Sequence, residues 1–219
     1  MLTPLLLTLA ACATVGGPPP AGDASADAAD ELGTRLVERA RLELGHRGPF
    51  TMGGEHFPAD CSGFVGAIYQ AEGIPLRQLG ARAAPGESSG VAAVYRAATI
   101  WGVVFGGGGE WPRPGDMIFF RGTYDRERDG RFEAPFTHIG IVEAVDESGT
   151  VTFIHRGRTA VARGYMTLDR PGQSKDEDGR EINSHLRRRH RGPDALASTL
   201  FMGYGRLDPR RFPSLVAMR

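Results

Sequence analysis

The chain has little of what would make several function classes easy to read. It has no excess of either charge, with 26 Lys and Arg against 26 Asp and Glu across 219 residues. No global field therefore argues for nucleic acid or an anionic membrane surface, and any basic partner site must be local. It has only two cysteines, Cys12 and Cys61, and no Cys-x-x-Cys or His-Glu-x-x-His spacing that would mark a zinc site. The glycine run at 106–109 has neither a helix start nor Lys-Ser/Thr behind it, which argues against a phosphate loop. The apolar run at 2–11 is well short of the roughly 20 residues a spanning helix needs. What is present is 41% hydrophobic content, enough for one globular domain with a real core.

The stretch around which the chain reads is Asp60-Cys61-Ser62-Gly63-Phe64-Val65. Phe64, Val65, Ile68 and Ala71 recur at helical spacing, so Cys61 is predicted to open a helix. The unpaired amides and positive dipole end of a helix favour thiolate over thiol. Asp60 opposes this, because a carboxylate at the N-cap occupies those amides and repels a thiolate. The plain alternative is a small buried cysteine at a helix end. Farther along, 117–120, 138–145, 151–155, 160–166 and 201–207 read as strands, after helices at 30–44, from Cys61 to about Gly73, and from Ser88 or Ser89 to about Ile100. Helices first and an antiparallel sheet after them make an α+β fold. Residues 146–149 form a hairpin turn, and pairing Val145 with Thr150 sets Gly140 opposite His155. His138 and His155 then share a face as diagonal neighbours, with glycine leaving room between the imidazoles. That is the basis of a relay: His138 takes the Cys61 proton and returns it to the leaving amine, and His155 orients His138. The Cys61 backbone N–H, at the helix start, is placed to stabilise an oxyanion. A thiolate with two imidazoles could also hold zinc, but no motif spacing supports it, and no cofactor is expected. His46 and His56, in the loop before Cys61, read as surface histidines.

Asp-Cys-Ser-Gly-Phe-Val resembles the nucleophile motif of the NlpC/P60 cysteine peptidases, which cut bacterial cell-wall peptides. Four further stretches are similar to that family's blocks in order: 48–54, ending in Met52-Gly53-Gly54; 114–120, beginning Pro114-Gly115-Asp116; 137–142, beginning Thr137-His138; and Phe153-Ile154-His155. The resemblance spans approximately Asp30 to Leu207. It implies a papain-like fold and cleavage of a peptidoglycan stem peptide, between D-glutamate and the following diamino acid. Asp60 and Ser62 would help hold substrate. Phe50 stands where the family commonly has a tyrosine that binds substrate, keeping the ring but losing the hydroxyl. An amidase or acyltransferase using the same thiol, or an inactive envelope-binding lipoprotein, would share the fold.

Leu9-Ala10-Ala11-Cys12 resembles the lipobox of a bacterial lipoprotein signal, although no basic residue precedes Leu2. On this reading 1–12 is a signal with Cys12 lipidated, and 13–29, rich in Ala, Gly and Pro, is a tether. Residues 30–219 are the catalytic domain, in a monomer anchored in the bacterial envelope. Ala13 after the cysteine resembles lipoproteins sent to an outer membrane, which would face the periplasm. The open alternatives are cleavage elsewhere or a Cys12 to Cys61 disulfide. Two charged segments, 121–136 and 169–198, interrupt the domain and read as lids, binding loops or surface excursions. The basic cluster 185–191 within the second lacks aromatics for base stacking, which disfavours nucleic acid, and is read as a solvated face or as a contact for acidic wall polymer or anionic lipid.

Overall fold

The computed structural model describes residues 24–106, 108–187 and 192–212. Helix α1 (Ala24–Leu42) is followed by a small hairpin of β1 (Phe50–Met52) and β2 (Glu55–Phe57), then by α2 (Cys61–Ala71), α3 (Leu76–Ala83) and α4 (Gly90–Trp101). Strands β3 (Gly102–Phe105), β4 (Met117–Phe120), β5 (His138–Val145), β6 (Val151–Arg156) and β7 (Val161–Met166) come next, and a short α5 (Ala197–Leu200) leads into β8 (Phe201–Leu207). These last strands form one antiparallel six-stranded sheet in the order β3-β8-β4-β5-β6-β7. The architecture is α+β, with N-terminal helices and a large antiparallel sheet.

The period of two along each strand sorts side chains into two cores. Ile139, Ile141 and Ile154 face Phe64, Val65 and Ile68 of α2. Ile118, Phe120, Val142 and Phe153 face the other way, against Ala197 and Leu200. Helix α2 is buried continuously from Gly63 to Tyr69, because sheet, helices and hairpin cover it from all sides. Each large apolar side chain sealed in this way contributes roughly 1.5–3 kcal/mol. The first residue of the most deeply held helix is therefore a rigid place for a reactive group. Glu72, just past the end of α2, binds Arg35 and Arg39 of α1 at 2.9 and 3.1 Å, and Tyr69 donates to the Gly115 carbonyl at 3.0 Å.

Several local expectations need correction. Helix α1 begins at Ala24, inside the stretch expected as a tether. Leu76–Ala83, between the two helices expected from Cys61 and from Ser88 or Ser89, is also helical, and the loop before Cys61 contains the β1–β2 hairpin. Strand β3 had no clear signal, being four residues between a helix and a glycine run. In the β5–β6 hairpin Val145 pairs with Val151 and not Thr150, but the register shifts between Ala144 and Val142. Ile141 then faces Ile154, and a Cβ added to Gly140 would lie 3.2 Å from that of His155.

The segment 169–198 is not only a surface excursion. Ile182, Asn183, Ser184, Ala195, Leu196 and Ala197 are buried. Asn183 accepts from the Thr167 N–H and donates to the carbonyls of Arg170 and Gln173, while Ser184 exchanges bonds with Tyr165 on edge strand β7. Polar side chains here satisfy buried backbone groups, a use that composition does not distinguish from solvation.

Candidate active site

The nucleophile position is built by its N-cap. Asp60 is extended, with φ −130°, and its carboxylate accepts from the Gly63 N–H at 2.7 Å and the Ser62 hydroxyl at 2.9 Å. Glycine is required at 63, since a Cβ there would come within 2.1 Å of the Pro58 carbonyl oxygen. The loop can thus press onto the first turn and hold Cys61 at the helix start. Cys61 is half-buried, and the nearby backbone N–H groups of Ile139, Ser62 and Cys61 itself favour its thiolate form. Ile139 is the neighbour of His138, so nucleophile and histidine meet at the end of the sheet.

His138 opens β5 and His155 lies near the end of β6. Their rings stand 4.9 Å apart at 88°, with His138 Nε2 and His155 Nδ1 at 2.7 Å. In the tautomer where His138 Nε2–H donates to His155 Nδ1, the Nδ1 lone pair of His138 remains available to take a proton. Phe120 and Phe153 shield the pair.

Electrostatics decide the resting charge state. Burial, and then the Asp60 charge, push the Cys61 thiol up to about 12, against the pull of the three N–H groups. Burial, and then His155, hold His138 well below the ordinary histidine value, and burial alone lowers His155 to about 4. The thiolate favoured by the helix end is thus outweighed at rest: the site holds a neutral thiol beside neutral imidazoles. Such a pair can still carry out nucleophilic catalysis, with the proton moving to His138 as sulfur attacks.

Cys61, His138 and His155 line one cleft of about 820 Å³ together with Asp60. Its far wall comes from both insertions, with Tyr124 and Phe132 from the first and His185, Leu186 and Arg187 from the second. Arg187 staples the two: its Nε donates to the Gly122 carbonyl at 2.9 Å, its guanidinium lies 4.7 Å over the Phe132 ring, and it pairs with Asp194. Thr137, next to His138, accepts from both the N–H and the hydroxyl of Thr123 at 3.0 Å. Sequence reasoning singled out these segments, and 185–187 as part of the basic cluster, but placed none of these residues in the cleft.

The other expected site residues fall out differently. Ser62 is half-buried and bonded to Asp60, and both remain at the rim of the nucleophile. Phe50 is a correction: it is 2% exposed, packed on Phe64 and His46, and belongs to the helix-side core and not to the cleft. The hairpin turns its ring inward, which the loop expected there would not have done. His46 bonds to the Pro49 carbonyl and His56 to Thr51. Cys12 lies outside the described residues, as do 188–191 of the basic cluster. Within that cluster Arg187 is half-buried and paired, not a solvated charge.

A cysteine opening a buried helix, with a histidine pair on an antiparallel sheet, has the layout of a papain-like cysteine hydrolase. Residues 52–157 match the family model of the CHAP domain. That is a papain-like cysteine/histidine amidohydrolase family distinct from NlpC/P60. The match corrects the NlpC/P60 attribution, which rested on short blocks around Cys61 and the histidines. No curated protein and no solved structure matches the chain. The chain is a cysteine/histidine-dependent hydrolase, and the matched span is similar to a family that acts on cell-wall peptidoglycan. The matched span runs from the first hairpin to just past β6. It includes Cys61, His138, His155 and the first insertion, and leaves out the second.

Proposed function

We propose that the protein hydrolyses an amide bond in the peptide part of peptidoglycan, with Cys61 as nucleophile, His138 as general base and acid, and His155 as the residue that positions His138. The observation that carries this reading is the 2.7 Å contact of His138 Nε2 with His155 Nδ1, in the cleft that Cys61 lines. As Cys61 Sγ adds to the scissile carbonyl, its proton passes to His138 Nδ1. The Cys61 backbone N–H, at the first turn of α2, stabilises the oxyanion. His138 then protonates the leaving amine, and a water deprotonated by His138 resolves the thioester. The D-glutamyl bond expected from the NlpC/P60 resemblance loses its support with that attribution, so the scissile bond is left as a stem-peptide amide. The test is mass spectrometry of purified cell wall incubated with protein starting near Asp30. New amine and carboxyl ends should appear with wild type and be absent with Cys61→Ala, whereas intact wall from both would overturn the reading.

For location we propose a lipid anchor at Cys12 in the bacterial envelope, supported by Leu9-Ala10-Ala11-Cys12. Cys12→Ala should release the full chain from the membrane fraction or block its maturation. Unchanged detergent partitioning would exclude lipidation there.

A further inference from the structure

The two carboxylates that line the cleft, Asp60 and Asp125, are held by neutral donors and make no ion pair with its arginines among the described residues. Asp60 is bound to Gly63 N–H and Ser62, and Asp125 to the N–H groups of Asp129 and Gly130. Arg187 is neutralised by Asp194. Two lining guanidiniums remain, Arg156 and Arg158, at the end of β6. Arg156 is only 7% exposed. It donates to the carbonyls of Gly157 and Arg47, and its Nε has no hydrogen-bond partner. It makes no ion pair with any described carboxylate. Arg158 is exposed and forms neither a hydrogen bond nor an ion pair among the described residues.

A buried guanidinium without a counter-ion is costly, since neutral carbonyls replace little of the hydration it has lost. Most arginines of the described core edges are paired, as Arg41 and Arg163 are with Glu143 and Arg206 is with Asp116. Arg156 departs from that pattern beside the reactive cysteine and histidines. In strand order it follows His155 and pairs with Val161 of the helix-side core. Its side chain therefore leaves the sheet on the face that α2 covers, opposite to the face of the histidines.

We infer that Arg156 and Arg158 form an anion subsite of the cleft, which takes a free carboxylate of the peptide substrate near the scissile amide. The inference rests on the peptide hydrolase reading and adds the substrate class to it. A carboxylate is the ligand that a planar guanidinium fork matches, and Arg158 can close over it from the solvent side. Binding would supply the negative charge that Arg156 lacks.

The experiment compares two synthetic stem peptides that differ only in one group beside the scissile amide, a free carboxylate in one and a carboxamide in the other. Turnover is followed with wild type, and binding with Cys61→Ala protein by calorimetry. The acid should show a KM and a dissociation constant lower by about tenfold or more, as expected for a charge-assisted hydrogen bond, with kcat little changed. Arg158→Gln should remove most of that preference, and so should Arg156→Gln. If Arg156→Gln does not fold, Arg156→Lys, which keeps the charge but not the fork, should retain only part of it. Equal KM for the two peptides with wild type would overturn the subsite while leaving the hydrolase reading intact. So would a preference that survives Arg158→Gln and the folded Arg156 variant. If wild type cleaves neither peptide, the hydrolase reading fails for this substrate, and the calorimetric pair alone decides whether the anion subsite exists.

Discussion

At Cys61, burial and helix position pull in opposite directions, and burial wins. The thiol is pushed up to about 12 and His138 is held well below the usual histidine value, so neither carries charge at neutral pH before substrate arrives. Alkylation of Cys61 by iodoacetamide should therefore keep rising with pH above 8. A standing thiolate–imidazolium pair would instead give a plateau at acidic pH, and such a plateau in a pH–rate series would refute the neutral pair. His138→Ala should lower turnover by roughly 10²–10⁴, the usual worth of a general base. His155→Ala should cost less, and His155→Asn less again, because an amide oxygen can still accept from His138 Nε2. Single-turnover rates across these variants, with circular dichroism as the folding control, test the order, and equal losses in His155→Asn and His155→Ala would remove the orienting role. Much of this site was legible in the sequence because its information is local. The apolar spacing after Cys61 marks a helix start, and alternation puts His138, Gly140 and His155 together. The charge state was not legible, since it comes from how completely other elements cover the two groups. Phe50 was misread for a related reason: its ring direction depends on the β1–β2 hairpin and on Phe64 beneath it.

At the level of elements, the hairpin that brings the histidines together reaches its register by two compensating irregularities. The turn makes Val145 pair with Val151, one residue later than a tight turn predicts, and the bulge between Ala144 and Val142 restores the phase before Gly140. Asp146 makes this turn specific by accepting from the N–H groups of Ser148 and Thr150 at 2.9 Å each. Gly140 is then the position where added volume bears directly on the histidine pair. An added Cβ would meet the Ile154 carbonyl at 3.0 Å and the His155 Cβ at 3.2 Å. Gly140→Ala should spread the histidine pair and reduce kcat more than stability, measured by turnover alongside urea unfolding. A fully active Gly140→Ala protein would mean that the spacing has slack. The second insertion has the opposite balance, because Asn183 closes three hydrogen bonds inside it with no exposure. Asn183→Ala should cost about 2–3 kcal/mol by leaving buried backbone groups unpaired. Replacing 169–198 by a Gly-Ser linker should abolish cooperative unfolding, and a deletion variant that still unfolds in one sharp transition would show that the segment is dispensable.

For the whole molecule, the two sheet histidines, His155 buried and His138 half-buried, set a limit on acid stability that the zero net charge does not reveal. Both are neutral in the folded protein, with their proton affinity lowered mainly by burial. In the unfolded chain each binds a proton near pH 6.5. As pH falls below that value the unfolded chain takes up protons that the folded one refuses, so stability is complete above about 6.5 and declines towards the folded values. For His155, lowered from 6.5 to about 4, the full loss is about 3 kcal/mol at roughly 1.4 kcal/mol per pH unit. His138 adds to it in the same direction. The carboxylates with depressed values, Glu143, Asp146, Asp176 and Asp208, lose their stabilisation only at lower pH, as they approach protonation. The two groups of losses should therefore separate along the pH axis, the histidines first. Urea unfolding between pH 8 and 4 should show stability falling from about pH 6.5 downward in wild type. In His155→Gln, which has no proton to gain at that position in either state, the fall over the same window should be smaller by about 3 kcal/mol. If the two proteins lose stability in parallel from pH 7 to 4, His155 is not held neutral by burial, and the neutral resting site described above would have to be given up with it.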